Sequence, residues 1–248
     1  MAQITISHLV KQLHWPLVVF TLLVFAGLIK LGFWQSERAQ EKSLRIEKMK
    51  SLTKQNAMSL EQVLLLAGNE NINDFPVVIE GEFDQQKLFL LDNQTHKGQL
   101  GYRVLQVVNQ GQYAVLINLG WVLGSIDRQT LPDIKPITGQ HSFKGHVRKV
   151  ELGVMLQEQD FSSVSWPLRI QQIELDKLSH LLQVKLVDFV VYIDQEEKIG
   201  YQKNWQPIVM PPEKHQAYAF QWFSLAVAWL VLMVWALVKS NKNNQLKA

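Results

Sequence analysis

The run from Tyr218 to Val238 constrains this chain more than any other stretch. Its 21 residues include no Asp, Glu, Lys or Arg. As a helix rising ~1.5 Å per residue it spans about 31 Å, which matches a bilayer hydrocarbon core of roughly 30 Å. Tyr218 and Trp222 stand at its start, where amphipathic rings favour the headgroup level, and Lys239 and Lys242 follow its end. A second run, Trp15 to Trp34, is broken only by Lys30, whose long stem can reach toward the surface. No third apolar run of about 18 residues occurs. The expected layout is a leader over 1–14, a transmembrane helix over 15–34, a large domain over 35–217, a second transmembrane helix over 218–238 and a tail over 239–248. Leader and tail then share one side of the membrane.

The first run is read as an uncleaved anchor. It ends in Gly32-Phe33-Trp34-Gln35, with no small-x-small cleavage site behind it. Charge does not settle the orientation. Lys239, Lys242 and Lys247 favour a cytoplasmic tail, whereas Arg38, Lys42, Arg45, Lys48 and Lys50 crowd the other side. Flanking Lys and Arg set topology, yet long domains translocate largely regardless of charge.

A net charge of +3, dispersed along the chain, argues against a nucleic-acid partner. The absence of cysteine removes disulfides, thiolate metal sites and a cysteine nucleophile.

Between the apolar runs the period changes. Glu37, Glu41 and Arg45, then Glu47 and Lys50, keep helical spacing and extend the first helix into water. Ser59-Leu60-Glu61-Gln62 resembles a capping box that opens a short helix closed by Gly68. Strands are expected at 77–83, 87–91, 102–108, 113–118, 143–150 and 186–193, with a hairpin through Asn109-Gln110-Gly111 and a loop over 125–140. Ile173 to Leu182 has helical spacing. The class is a membrane protein of α+β type: two terminal transmembrane helices flank a β-rich domain with one or two short helices.

Motifs of nucleotide binding, nucleophilic hydrolysis and helical zinc sites are missing. His141 and His146 sit an odd number apart in an expected strand and point to opposite faces. His215 differs by its place. With Pro212 early in the second helix, His215, Tyr218 and Trp222 share one face at the water–lipid boundary. A neutral imidazole is a good ligand for haem iron, and aromatic neighbours can shield a porphyrin face. Arg38, one turn beyond Trp34 on the first helix, suits a haem propionate. The same residues also suit an ordinary interface belt of aromatics with a solvated His and a terminal Arg.

Several stretches together resemble the Surfeit locus protein 1 family of cytochrome oxidase assembly factors. They are Leu31-Gly32-Phe33-Trp34-Gln35-x-x-Arg38, Gly81-Glu82-Phe83, Leu91-Asp92-Asn93, Gly98-x-x-Gly101-Tyr102, Val115-Leu116-Ile117-Asn118-x-Gly120-Trp121-Val122 and His215-x-x-Tyr218-x-x-x-Trp222. The resemblance covers nearly the whole chain. It implies an extracytoplasmic (periplasmic) β domain, cytoplasmic termini and residence in a bacterial inner membrane. It also implies a non-catalytic role in cytochrome c oxidase assembly, with transient binding of haem a and aid to its insertion into subunit I. The partners it implies are subunit I, haem a synthase and the bilayer. The binding residues it implies are His215, Tyr218, Trp222, Trp34 and Arg38, with His215 on the haem iron. Where the family reads Asn-Arg-Gly-Trp-Val-Pro, Leu119 replaces the Arg and Leu123 the Pro, so no role of that Arg carries over.

Two other readings stand beside this one. The first is a scaffold that stabilises an oxidase intermediate without binding haem. The second is an envelope hydrolase using a carboxylate pair such as Glu80 and Asp92 across strands. Gly101-Tyr102 and Gly120-Trp121 are read as structural, with a glycine at a bulge or tight strand entrance and the ring in the core.

Overall fold

The computed structural model describes residues 15–53, 56–127, 130–150, 159, 161, 164–206 and 208–245. The expected leader and the last three residues of the tail lie outside them. The chain divides into two compact units, one made of residues 1–47 and 208–248 and the other of 48–207. The β-rich unit is therefore narrower than the 35–217 span between the apolar runs.

The first unit holds two long helices, α1 (Trp15–Thr53), whose last turns belong to the other unit, and α4 (Pro212–Gln245). Both are long and apolar enough to cross a membrane. α4 opens on Pro212, whose missing N–H costs nothing in the first turn. The helices run antiparallel. Going up α4, His215 meets Gln35, Phe223 meets Phe33 and Trp229 meets Thr21. Phe33 and Phe223 pack edge to face at 5.4 Å. A Cβ on Gly32 would lie 2.5 Å from the Phe223 ring, so glycine is what lets the helices approach here. Trp229 donates its indole N–H to Thr21 O at 3.1 Å, satisfying a polar group at membrane depth. Ala219 and Ala226, one and three turns beyond His215, are buried on the same face. At the far end Lys239 lies 4.8 Å over the Trp235 ring, an interfacial pairing.

The second unit is the β domain. Its elements after the end of α1 are β1 (Met58–Ser59), α2 (Leu60–Ala67), β2 (Pro76–His96), β3 (Gln99–Gln110), β4 (Tyr113–Leu123), β5 (Gly139–Arg148), β6 (Leu168–Ile170), α3 (Leu175–Leu182) and β7 (Leu186–Ile193). The long β2 pairs through its first half with β5 and mainly through its second half with β3. The order β2-β3-β4-β7-β5 then returns to β2, so five strands close into a ring. Closure removes most open edges, and the short β1 and β6 add parallel partners to β2.

Alternation decides the two faces. Leu90, Val104, Ile117, Phe189 and Val191 share one apolar cluster with Phe83 and Phe143. Their neighbours Leu91, Leu105, Leu116 and Val190 point the other way, into a second cluster covered by α3 and Ile170. Gln106 is polar and fully buried yet satisfied. Its amide donates to Asp84 O and Ile137 O and accepts from Ile137 N, fixing the loop before β5.

Several local expectations hold. Ser59 caps α2 with a reciprocal capping box to Gln62, and Gly68 closes the helix. The two short helices are α2 and α3. Tyr102 and Trp121 are buried, and Trp121 donates Nε1–H to Gln94 O at 2.8 Å. Gly120 sits at φ 117°, beside the bulge between Val104 and Leu105.

Others needed correction. The strands expected at 77–83 and 87–91 are parts of β2, which bends through two register shifts and runs on to His96. Asn93, with φ 59°, makes the second irregularity within the strand and does not end it. Glu80 and Asp92 therefore lie on one strand and cannot meet across two. Leu119 is fully buried in the first cluster, so the departure from the family's Arg is a core position here.

Candidate functional site

The site is built where the helices of the first unit meet. Gln35 follows the last aromatic of the first apolar run, and His215 sits in the first turn of α4. Antiparallel packing brings them to 2.8 Å, between Gln35 Oε1 and His215 Nδ1. An amide oxygen only accepts, so Nδ1 carries the proton and donates. In the neutral ring this tautomer leaves the lone pair on Nε2. His215 is 8% exposed as a residue. Its Nε2 makes no hydrogen bond among the described residues, and it is not among the sealed polar atoms. The imidazole is thus oriented by Gln35, with Nε2 reaching the surface.

The other predicted residues lie around this pair in different states. Trp34 and Tyr218 are both 46% exposed, and Trp222 is half-buried. Arg38 stacks over Trp34 at 5.9 Å and pairs with Glu41 at 2.7 Å. Both members of that ion pair are about half exposed, where such pairs contribute ~0–1 kcal/mol. Arg38 is therefore held loosely and can exchange Glu41 for another anion. Among the described residues no hydrogen bond or ring contact joins Tyr218 or Trp222 to His215. The geometry joins His215 to Gln35 and Arg38 to Trp34, one helical turn apart on α1.

Gln35 is the residue that pattern reading placed in a motif without giving it a role. The signal was its position, directly after Trp34 and one turn before Arg38. What it touches could not be read from spacing.

His146, His141 and His96 make local contacts, the last with Gln202 Nε2 at 2.9 Å. His146 Nδ1 lies 2.5 Å from Asp194 Oδ1, and His141 Nε2 lies 3.0 Å from Thr138 O. No group of three His, Cys, Asp or Glu among the described residues could hold a metal ion.

Two terminal helices long and apolar enough to cross a membrane, flanking a closed β domain, define a class: a two-pass membrane protein with a β-rich domain between its spans. The SURF1 family model matches residues 22–227. The chain belongs to the SURF1 family, which is associated with cytochrome c oxidase assembly and acts as assembly factor rather than as enzyme. A search of curated proteins finds no match.

Proposed function

We propose that this protein holds haem a transiently at the boundary of α1 and α4 and aids its insertion into cytochrome c oxidase subunit I. The observation that carries the reading is the Gln35–His215 hydrogen bond, which leaves Nε2 of a positioned neutral imidazole available. Haem supplies an iron that accepts such a nitrogen and carboxylates that suit a guanidinium. His215 holds the iron side, Trp34, Tyr218 and Trp222 present ring faces to the macrocycle, and Arg38 leaves Glu41 for a propionate. A single protein ligand at an exposed boundary gives weak holding, which a carrier needs in order to release. The protein resides in a bacterial inner membrane, with the β domain in the periplasm and both termini in the cytoplasm. Haem a synthase is the donor and subunit I the acceptor.

The second reading is a scaffold that binds an oxidase intermediate without haem. The Arg38–Glu41 pair favours it, because that guanidinium already has an anion. The test is the absorption spectrum of the detergent-purified protein, coexpressed with haem a synthesis, beside His215→Ala. A reduced haem band in the first and its loss in the second supports the carrier. A colourless protein in both supports the scaffold.

A further inference from the structure

A cleft of about 310 Å³ opens on the β domain beside the second apolar cluster. Arg103, Arg148 and Lys149 line it, and none of the described residues that line it is acidic. Arg103 comes from β3, where strand alternation turns it away from Tyr102 and Val104 and toward Tyr192 of β7. Its Nη1 donates to the Tyr192 hydroxyl at 3.2 Å, and its guanidinium lies 5.6 Å from that ring's centre. No ion pair of Arg103 occurs among the described residues. Arg148 is neutralised by Asp74 at 2.9 Å, while Lys149 lies exposed at the rim.

Among the described residues, two buried side-chain polar atoms have no hydrogen-bond partner: Arg103 Nε and Gln172 Oε1. Both residues line this cleft. A buried donor and a buried acceptor without partners are each costly, and native structures keep few of them. Their coincidence at a cleft whose described lining is net positive points to an occupant. It must bring an oxyanion for Arg103 and a hydroxyl donor for Gln172. The volume is that of a small-molecule site.

We propose that this cleft binds a soluble anion that carries both an oxyanion and a hydroxyl, such as hydrogen phosphate or a short hydroxy acid, with Arg103 as its anchor. Lys149 raises the local potential and draws the anion in. Gln172 selects for the hydroxyl.

The test uses the full chain in neutral phosphatidylcholine nanodiscs, titrated calorimetrically with inorganic phosphate, malate and succinate. Saturable binding of phosphate or malate is expected, with succinate weaker because it lacks the hydroxyl. Arg103→Gln should weaken binding about tenfold or more, as loss of a charge-assisted contact does. Gln172→Leu should remove the preference for malate over succinate. No saturable binding below about 10 mM by any of the three anions overturns the proposal. So does affinity unchanged in Arg103→Gln. If that variant fails to fold, unchanged affinity and preference in Lys149→Gln and Gln172→Leu overturn it instead. Protection seen only in discs that contain phosphatidylglycerol, with no response to the soluble anions, assigns the charge to lipid headgroups and also overturns it.

Discussion

Gln35 Oε1 accepts the Nδ1 proton of His215 at 2.8 Å, although the two residues stand 180 positions apart in the chain. The contact joins the outer end of one apolar helix to the first turn of the other. It converts a boundary histidine, which could have been merely solvated, into an imidazole oriented by Gln35.

Removing the acceptor should loosen the ligand without deleting it. Gln35→Leu is expected to weaken haem retention by roughly 10- to 100-fold, the range seen when a partner behind a ligating histidine is lost. Gln35→Glu, which still accepts, should retain it. The reduced absorption band of purified variants, normalised to protein, is the measurement, and His215→Ala sets the floor.

The helix pair depends on the missing Cβ of Gly32. Gly32→Leu must displace the Phe223 ring, which is already held against Phe33. Overpacking of this kind costs about 1–3 kcal/mol. The chain has no cysteine, so a Gln35→Cys, His215→Cys pair, which leaves Phe33 and Phe223 in place, can be joined by a short bis-maleimide without background. Cross-linking should be efficient in that pair and fall sharply when Gly32→Leu is added.

Restoring the family's residue at position 119 should harm this chain. Leu119 is fully buried among apolar side chains, and Leu119→Arg would place a charge there without a partner. The cost is expected to be about 3 kcal/mol or more. Thermal or urea unfolding of the full chain in detergent would show it as a lowered midpoint with an unchanged helix signal from the spans.

Glu174 gives the acid limb of stability a specific contributor. It accepts from Lys177 Nζ at 2.9 Å and from Gln159 Nε2 at 2.9 Å, and the Lys177 hydrogen bond is the main cause that lowers its pKa below the ordinary 4.5. A lowered folded value means that the stabilisation is full above about pH 4.5 and is lost as pH falls through the folded value. Glu174→Gln should cost about 0.5–1.5 kcal/mol at pH 7 and flatten the pH dependence between pH 5 and 3. Denaturation midpoints across that range test the sign. At the alkaline end burial raises the Tyr201 pKa above 10.0, so its contribution is present below pH 10 and fades as pH rises through the folded value.

Much of the local structure was legible because it rests on short-range rules. The capping box at Ser59, the strand at Leu186 to Ile193 and the burial of Trp121 follow from spacing and residue type. β2 reads as two strands because its alternation lapses over 84–86, where the ladder shifts register between Phe83 and Leu88, and as a short one because Asp92-Asn93 looks like a terminator. A left-handed Asn93 inside a bulge serves equally well when neighbouring strands continue the ladder. The short β6 at Leu168–Ile170 left no pattern that three residues could carry.

Two apolar runs of bilayer length, without internal acids, were enough to specify two spans, because the cost of ionised groups in hydrocarbon leaves few other arrangements. Alternation likewise set the buried side at Val77, Ile79 and Phe83, whereas β4 and the middle of β2 are buried on both sides. The return of β5 to β2, the meeting of Gln35 with His215 and the placing of Arg103 against Tyr192 were decided only in three dimensions. Each depends on helix rotation, strand bending or register between segments far apart in the chain. Periodicity reports which face of an element is apolar. Which residue of a distant element comes to lie against that face is settled by packing.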